Sequence, residues 1–237
     1  MTPSTTSSDP LSAATDRLAA SVEALSDEEW SAPSSLPDWS RAHVIAHLAL
    51  NAESLAAVAL SVIEGRPGPM YPSDEARDAE IEELAATHRA PLWRRFQVAT
   101  GRLDEAFAAL AEAPAEVAET LVERTPGGRR FAAGAAPGMR LREIEIHHVD
   151  LGVAYGPGDW PEPLVRELLG YGCSRPIPGV DALLVATDLS WEHRLGSGGP
   201  TVSGPAHALA WWLTGRPPYD GAELHVEGGE LPKLPPL

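Results

Sequence analysis

Apolar residues recur at steps of three and four over most of the first 150 positions, the spacing that gathers them on one face of a helix. From Pro10 to about Trp30 the stripe is Leu11, Ala14, Leu18, Val22 and Leu25. Asp9 supplies a cap ahead of Pro10, and a proline in the first turn gives up an N–H that has no intrahelical partner anyway. The prolines and serines of "SAPSSLPDW" end this pattern. A second helix, capped by Ser40, is expected to run to about Glu64 on the stripe Val44, Leu48, Leu55, Val58 and Val62. After the "GRPGPMYPS" loop, Ser73 caps a third helical stretch. Asp74, Glu75 and Asp78 fall in its first turns, where negative charge suits the helix dipole. The pattern reaches about Leu110, with a break or kink at Pro91. Residues 112–138 are less regular: "VAETLVER" reads as a strand or a short helix, and "TPGGRR" as a turn. A fourth long helix is predicted from about Gly138 to Val153, stopped by "YGPGDWPEP".

One more short helix is expected over residues 163–172, and beyond "RPIPGV" the period shifts toward strands. "ALLVATD", "SWEHRLG" and "PTVSGP" read as strands, "AHALAWWLTG" as a helix closed by Gly215, and "AELHVEGG" as a final strand. The adjacent Trp211 and Trp212 read as core of this smaller part. The expected organisation is mainly α with a small α+β part. A disordered tail covers residues 1–9, a helical bundle 10–160, and a linker helix with a small α+β domain 161–237.

Composition narrows the functional classes. A formal net charge of -16, from 34 acidic against 18 basic residues, opposes nucleic-acid binding, which needs cations to displace phosphate counterions. It equally disfavours anionic membrane surfaces. The longest apolar runs fall far short of the roughly 18 residues that suggest a membrane span. The polar start "MTPSTTSSDP" lacks the features of a secretory signal. The single cysteine, Cys173, allows neither an internal disulfide nor a thiolate metal cage. A cytoplasmic protein acting on a small molecule is the expectation, without nucleic-acid or membrane partners.

The candidate chemistry lies in "LREIEIHHVDLG", residues 141–152. Glu143 and His147, four apart, share one helix face, about 40° apart round the axis. His147 and His148 diverge by about 100°, so one helix does not readily aim both at one ion. Glu145 and His148 form a second possible pair. In the second helix, "RAHVIAHLALNAE" sets His47 among Val44, Leu48 and Asn51, which turns it toward a bundle interior, whereas His43 sits near the helix start. Facing helices that offer His47 on one side, and Glu143 with His147 on the other, make a metal site of the kind built inside bundles. Two imidazoles and a carboxylate suit zinc and leave a position open for catalysis. Iron(II), nickel or cobalt fit the same set. The plain alternative is a hydrogen-bonded core histidine and an ordinary Glu–His pair on a helix.

"LPDWSRAHVIAHLALNAESL" resembles the second-helix signature of the DinB-like metal-binding four-helix bundles, which fold up and down. "MYPSDEARDAEIE" with "GMRLREIEIHHVDLG" resembles the mycothiol-dependent maleylpyruvate isomerase family, and "HALAWWLTGR" with "LHVEG" its small C-terminal domain. The resemblance spans nearly the whole chain. It implies a zinc site at His47, Glu143 and His147, mycothiol as thiol cofactor, and conversion of maleylpyruvate to fumarylpyruvate in aromatic catabolism. Arg216, in "LTGR", is the best match to an arginine of the C-terminal domain that matters to that reaction.

The implied substrate is a dianion, so cations in an acidic protein must meet it. Arg77, Arg140 and Arg142 are candidates beside Arg216, because guanidinium grips carboxylates in a fork; Arg77 and Arg142 could instead pair with nearby glutamates. Asp150 is placed to orient a ligand histidine, or else is a solvated or capping residue. Tyr71 is expected at the pocket and Met70 in the core. A transferase that joins mycothiol to electrophiles would share the bundle sequence, and a non-catalytic ligand-binding protein is the alternative of another class.

Overall fold

The computed structural model describes residues 9–175, 177–220 and 223–235. The chain divides after Val153 into two units, earlier than the boundary at 160 expected from the pattern. All of the expected tail except Asp9 lies outside the described residues.

The first stretch is two helices rather than one, α1 (Pro10–Glu23) and α2 (Asp27–Ser31). Ser26 makes the break: its hydroxyl accepts from Glu29 N–H while the Glu29 carboxylate accepts from Ser26 N–H. That reciprocal cap starts a new helix without any proline or glycine. Asp9 occupies the cap position of α1, but its side chain makes no capping bond. α3 (Arg41–Ile63) begins at the predicted Ser40 cap. α4 (Asp74–Ala85) and α5 (Arg89–Glu112) follow, parted at residues 86–88. Pro91 therefore lies in the first turn of α5, where a missing N–H is tolerated. "VAETLVER" turns out to be both alternatives in succession: α6 (Ala115–Ala118), then β1 (Leu121–Glu123), antiparallel to β2 (Arg130–Ala132). α7 (Ala136–Asp150) starts two residues before the predicted point, with Pro137 in its first turn.

α3 is the middle of this unit. Its length and composition would suffice to cross a membrane, yet 72% of that apolar window is buried inside the protein. α5, α4 and α7 pack around it, and α1 packs on α7. All five residues of its predicted stripe are buried, as are Leu11, Leu18 and Val22 of α1.

The register of α3 against α7 is fixed at one end. Arg41, the first residue of α3, donates from Nε to Leu151 O at 2.7 Å and from Nη2 to Gly152 O at 2.9 Å. A cation there satisfies carbonyls and suits the negative end of the helix. Ser35 N–H adds a bond to Asp150 O at 2.8 Å. Gly152, at φ +64°, provides the left-handed turn that brings those carbonyls round. The start of α3 thus lies beside the end of α7, and the two run antiparallel.

In the second unit, α8 (Glu162–Ser174) packs on α9 (Ala206–Leu213). Strands β3 (Ala182–Ala186), β4 (Trp191–Leu195), β5 (Thr201–Gly204) and β6 (His225–Glu227) form a sheet in the order β4-β3-β5-β6. β3 and β5 are parallel; the other two pairings are antiparallel. Trp211 and Trp212 are buried in this unit, and Gly215, at φ +84°, lets the chain turn out of α9.

Candidate metal centre

His47 lies in the second turn of α3, and Glu143 and His147 lie in the last turns of α7. The antiparallel register set by Arg41 brings these turns together. One ligand atom from each of the three residues lies within 4.8 Å of the other two. His47 Nε2 donates to Glu143 Oε2 at 2.8 Å, and His147 Nε2 lies 3.3 Å from the same oxygen. The two imidazoles meet edge to face, with centroids 4.6 Å apart.

The other nitrogen of each ring has its own neighbour. His147 Nδ1 stands 2.9 Å from Asp150 Oδ2, off the line of an ideal hydrogen bond. Arg77 Nη2 donates to His47 Nδ1 at 3.1 Å. These surroundings push the groups apart in acidity. Burial and the neighbouring His147 lower the His47 pKa to about 4. Burial alone would lower that of His147 too, but Asp150 and Glu143 outweigh it and raise it. Burial opposes ionisation of Glu143, yet the hydrogen bonds from both histidines hold its carboxyl well below the usual range. The centre therefore contains an ionised carboxylate and a neutral imidazole at pH 7.

Tyr71 is buried next to this group. Its backbone N–H bonds Arg124 O and that of Met70 bonds Glu123 O, each at 2.8 Å, so the end of β1 pins the loop. The guanidinium groups of Arg77 and Arg124 lie 5.8 and 5.3 Å from the Tyr71 ring centroid. Burial, then the charge of Glu143, raises the Tyr71 pKa and keeps the hydroxyl protonated. Met70 is buried in the core.

The remaining candidates have other partners. Arg140 is 1% exposed. Its Nη1 donates to Leu48 O and Asn51 Oδ1, both at 2.8 Å; these bonds tie α7 to α3. His43 serves the start of α3, its Nδ1 accepting from Ser40 N–H while its Nε2 meets Glu82 at 3.2 Å. Glu145 and His148 turn to α1, where Glu145 pairs with Arg17 at 2.6 Å and His148 Nε2 meets Ser21 Oγ at 2.8 Å. Arg142 is half-buried on α7. Arg216, in the second unit, lies over the Trp211 ring at 5.4 Å and donates to Thr214 O.

Three neighbours were not singled out as site residues in the sequence. Trp39, just before the Ser40 cap, has its ring 5.8 Å from that of His47. Arg124 shares Tyr71 with Arg77, and Asn51 holds Arg140. Only Asn51 carried a signal, one turn beyond His47 on the same face.

Residues 11–152 match the family model described as the mycothiol maleylpyruvate isomerase N-terminal domain. The chain belongs to that family. Among solved structures it is similar to the crystal structure of the mycothiol-dependent maleylpyruvate isomerase and to that of a histidine-to-alanine mutant of the same enzyme. Each is 28% identical with a TM-score of 0.85, over 96% of this chain and 94% of the other. No curated protein sequence matches the chain. The family match covers the helical unit; the structural likeness continues through the second.

For this member of the family, the donor set fits a divalent ion. Two imidazole nitrogens and a carboxylate oxygen are a zinc set with one position left over. Ligand atoms about 2.0–2.1 Å from a tetrahedral ion stand roughly 3.3 Å from each other, close to the contacts of 2.8 and 3.3 Å found here. Asp150 on the far nitrogen of His147 is the carboxylate–histidine arrangement that supports such ligands.

Proposed function

We propose that the chain is a zinc-dependent, mycothiol-using isomerase that converts maleylpyruvate to fumarylpyruvate. The observation that carries this reading is the convergence of His47, Glu143 and His147 from two antiparallel helices in a chain of this family. The structural relatives named for mycothiol and maleylpyruvate support the substrate and the thiol.

His47, Glu143 and His147 would hold the ion, and Asp150 would fix the orientation of His147. The ion, when bound, supplies the acidity that keeps a thiol as thiolate near pH 7, and reversible addition of that thiolate to a cis double bond conjugated to a carbonyl lets the bond rotate before elimination. The protein offers no thiolate of its own: burial pushes the Cys173 thiol up to about 11. Arg77, beside His47, supplies a cation for a substrate carboxylate, and Tyr71, beside Arg77, supplies a protonated hydroxyl. Arg142 is a further candidate cation for the dianion, and Arg216, the match to the family's C-terminal arginine, is the catalytic candidate. This reading makes the protein a cytoplasmic enzyme of aromatic catabolism with small-molecule partners.

The test is an assay of the purified protein on maleylpyruvate with and without mycothiol, before and after chelation and zinc return. The isomerase predicts loss of the cis isomer that requires both. A stable thioether formed with a chlorinated electrophile, without isomerisation, would make it an S-transferase. Protein that neither holds nor regains zinc would make it a non-catalytic ligand-binding protein.

A further inference from the structure

Two hydrogen bonds assign the ring proton of His47. Arg77 Nη2 lies 3.1 Å from Nδ1, and a guanidinium has only donors. Nδ1 is therefore the acceptor, and the proton sits on Nε2, from which it is donated to Glu143 Oε2 at 2.8 Å. A metal bond to Nε2 needs the lone pair there, so a neutral ring must carry its proton on Nδ1 instead. That N–H would face an N–H of Arg77, with no acceptor between them.

The rest of the Arg77 side chain is arranged for a second position. Nη1 holds Asp78 Oδ1 at 2.7 Å on the exposed side. Nε is buried and has no acceptor among the described residues. Nε and Nη2 form one edge of the guanidinium fork; the same edge of Arg95 grips both oxygens of Glu53, at 2.8 and 2.7 Å. Once Nη2 leaves His47, Arg77 has two parallel donors without acceptors beside the metal ligands, the shape that a carboxylate fits.

We infer that a metal ion on His47 and the Arg77–His47 hydrogen bond exclude each other, so that loading the ion turns the Nε/Nη2 edge of Arg77 over to a carboxylate of the substrate. This rests on the metal-enzyme reading above. His47 gives up the proton on Nε2 and takes one up on Nδ1, so its ring stays neutral, and Glu143 stays a carboxylate. The consequence is an order of binding: the ion first, the dianion second.

The test uses the full chain labelled with 15N in its histidine rings, stripped by chelator and then titrated with zinc, and followed by long-range 1H–15N NMR. The stripped protein shows His47 protonated on Nε2; the loaded protein shows it protonated on Nδ1. In Arg77→Met, the His47 Nδ1 signal of the stripped protein moves, while the loaded spectra of variant and wild type coincide at His47. Arg77→Met also binds zinc at least about 10-fold more tightly, because no charged hydrogen bond has to be broken. Maleate, a dianion that does not react, binds zinc-loaded wild type at least about 10-fold more tightly than zinc-loaded Arg77→Met. An Nδ1-protonated ring in stripped protein, a loaded His47 signal that the variant still displaces, or equal maleate affinity overturns the exchange. Protein that takes up no zinc overturns the metal reading on which the exchange rests.

Discussion

Asp150 Oδ2 stands 2.9 Å from Nδ1 of His147, while Nε2 of the same ring faces Glu143 Oε2 at 3.3 Å. The two nitrogens of one imidazole thus meet two carboxylates, one in the candidate ligand set and one behind the ring. Asp150→Asn keeps the shape but removes the charge that makes the ring a good donor. We expect zinc affinity to fall about 10- to 100-fold, read by competition with a chelator at fixed pH, with the fold retained by circular dichroism. Unchanged affinity would show that Asp150 plays no part in holding the ligand.

His47→Ala and His147→Ala should each remove zinc, measured as metal content after dialysis. His148→Ala should keep it, because His148 points to Ser21 of α1. That substitution should instead lower stability by about 1–3 kcal/mol, the cost of losing a buried, hydrogen-bonded side chain, measured by urea unfolding. Loss of zinc in His148→Ala, with zinc kept in His147→Ala, would exchange the roles of these neighbours.

How much of this was open to sequence reading depends on the distance over which each contact acts. Glu143 and His147 are four apart, and His47 sits on an apolar face, so helical spacing marked two candidate half-sites while leaving an ordinary Glu–His pair open. Their meeting depends on Arg41 reaching Leu151 and Gly152, contacts 110 and 111 positions apart, which periodicity does not register. The division between α1 and α2 was hidden for the opposite reason: Ser26 and Glu29 make a local cap, but the apolar stripe runs on through it to Leu25 and Trp30. The Arg77–His47 bond also escaped, since a helix start rich in Asp and Glu points an arginine toward its acidic neighbours, and only one of its nitrogens went there.

Arg140 is expected to behave as a strut between helices. Burial lowers its pKa to about 10, which leaves the guanidinium charged at pH 7 with Leu48 O and Asn51 as its acceptors. Arg140→Met should cost about 1–3 kcal/mol in chemical unfolding and leave zinc bound. A variant as stable as wild type that had lost substrate affinity would move Arg140 to the substrate.

Cys173 should react slowly with iodoacetamide. Its pKa is raised from 9.0 to about 11 by burial, so at pH 8 the reactive thiolate is scarcer than in a free thiol. The sign follows from burial favouring the neutral form: alkylation should be at least ~10-fold slower than for a small thiol at pH 8, and its rate should climb with pH to near 11. Rapid alkylation at pH 7 would reopen the question of a nucleophile supplied by the protein.

Arg41 is not one of the three candidate ligands, yet its grip on the carbonyls of Leu151 and Gly152 sets how His47 stands against Glu143 and His147. Each half of the donor set belongs to its own rod, and a rod that slides by a fraction of an ångström carries all its donors with it. Substitutions at the first residue of α3 would therefore retune which cations are retained while every coordinating side chain stays unaltered. For an ion held as proposed, metal preference would be set at the helix ends as much as at the ligands themselves.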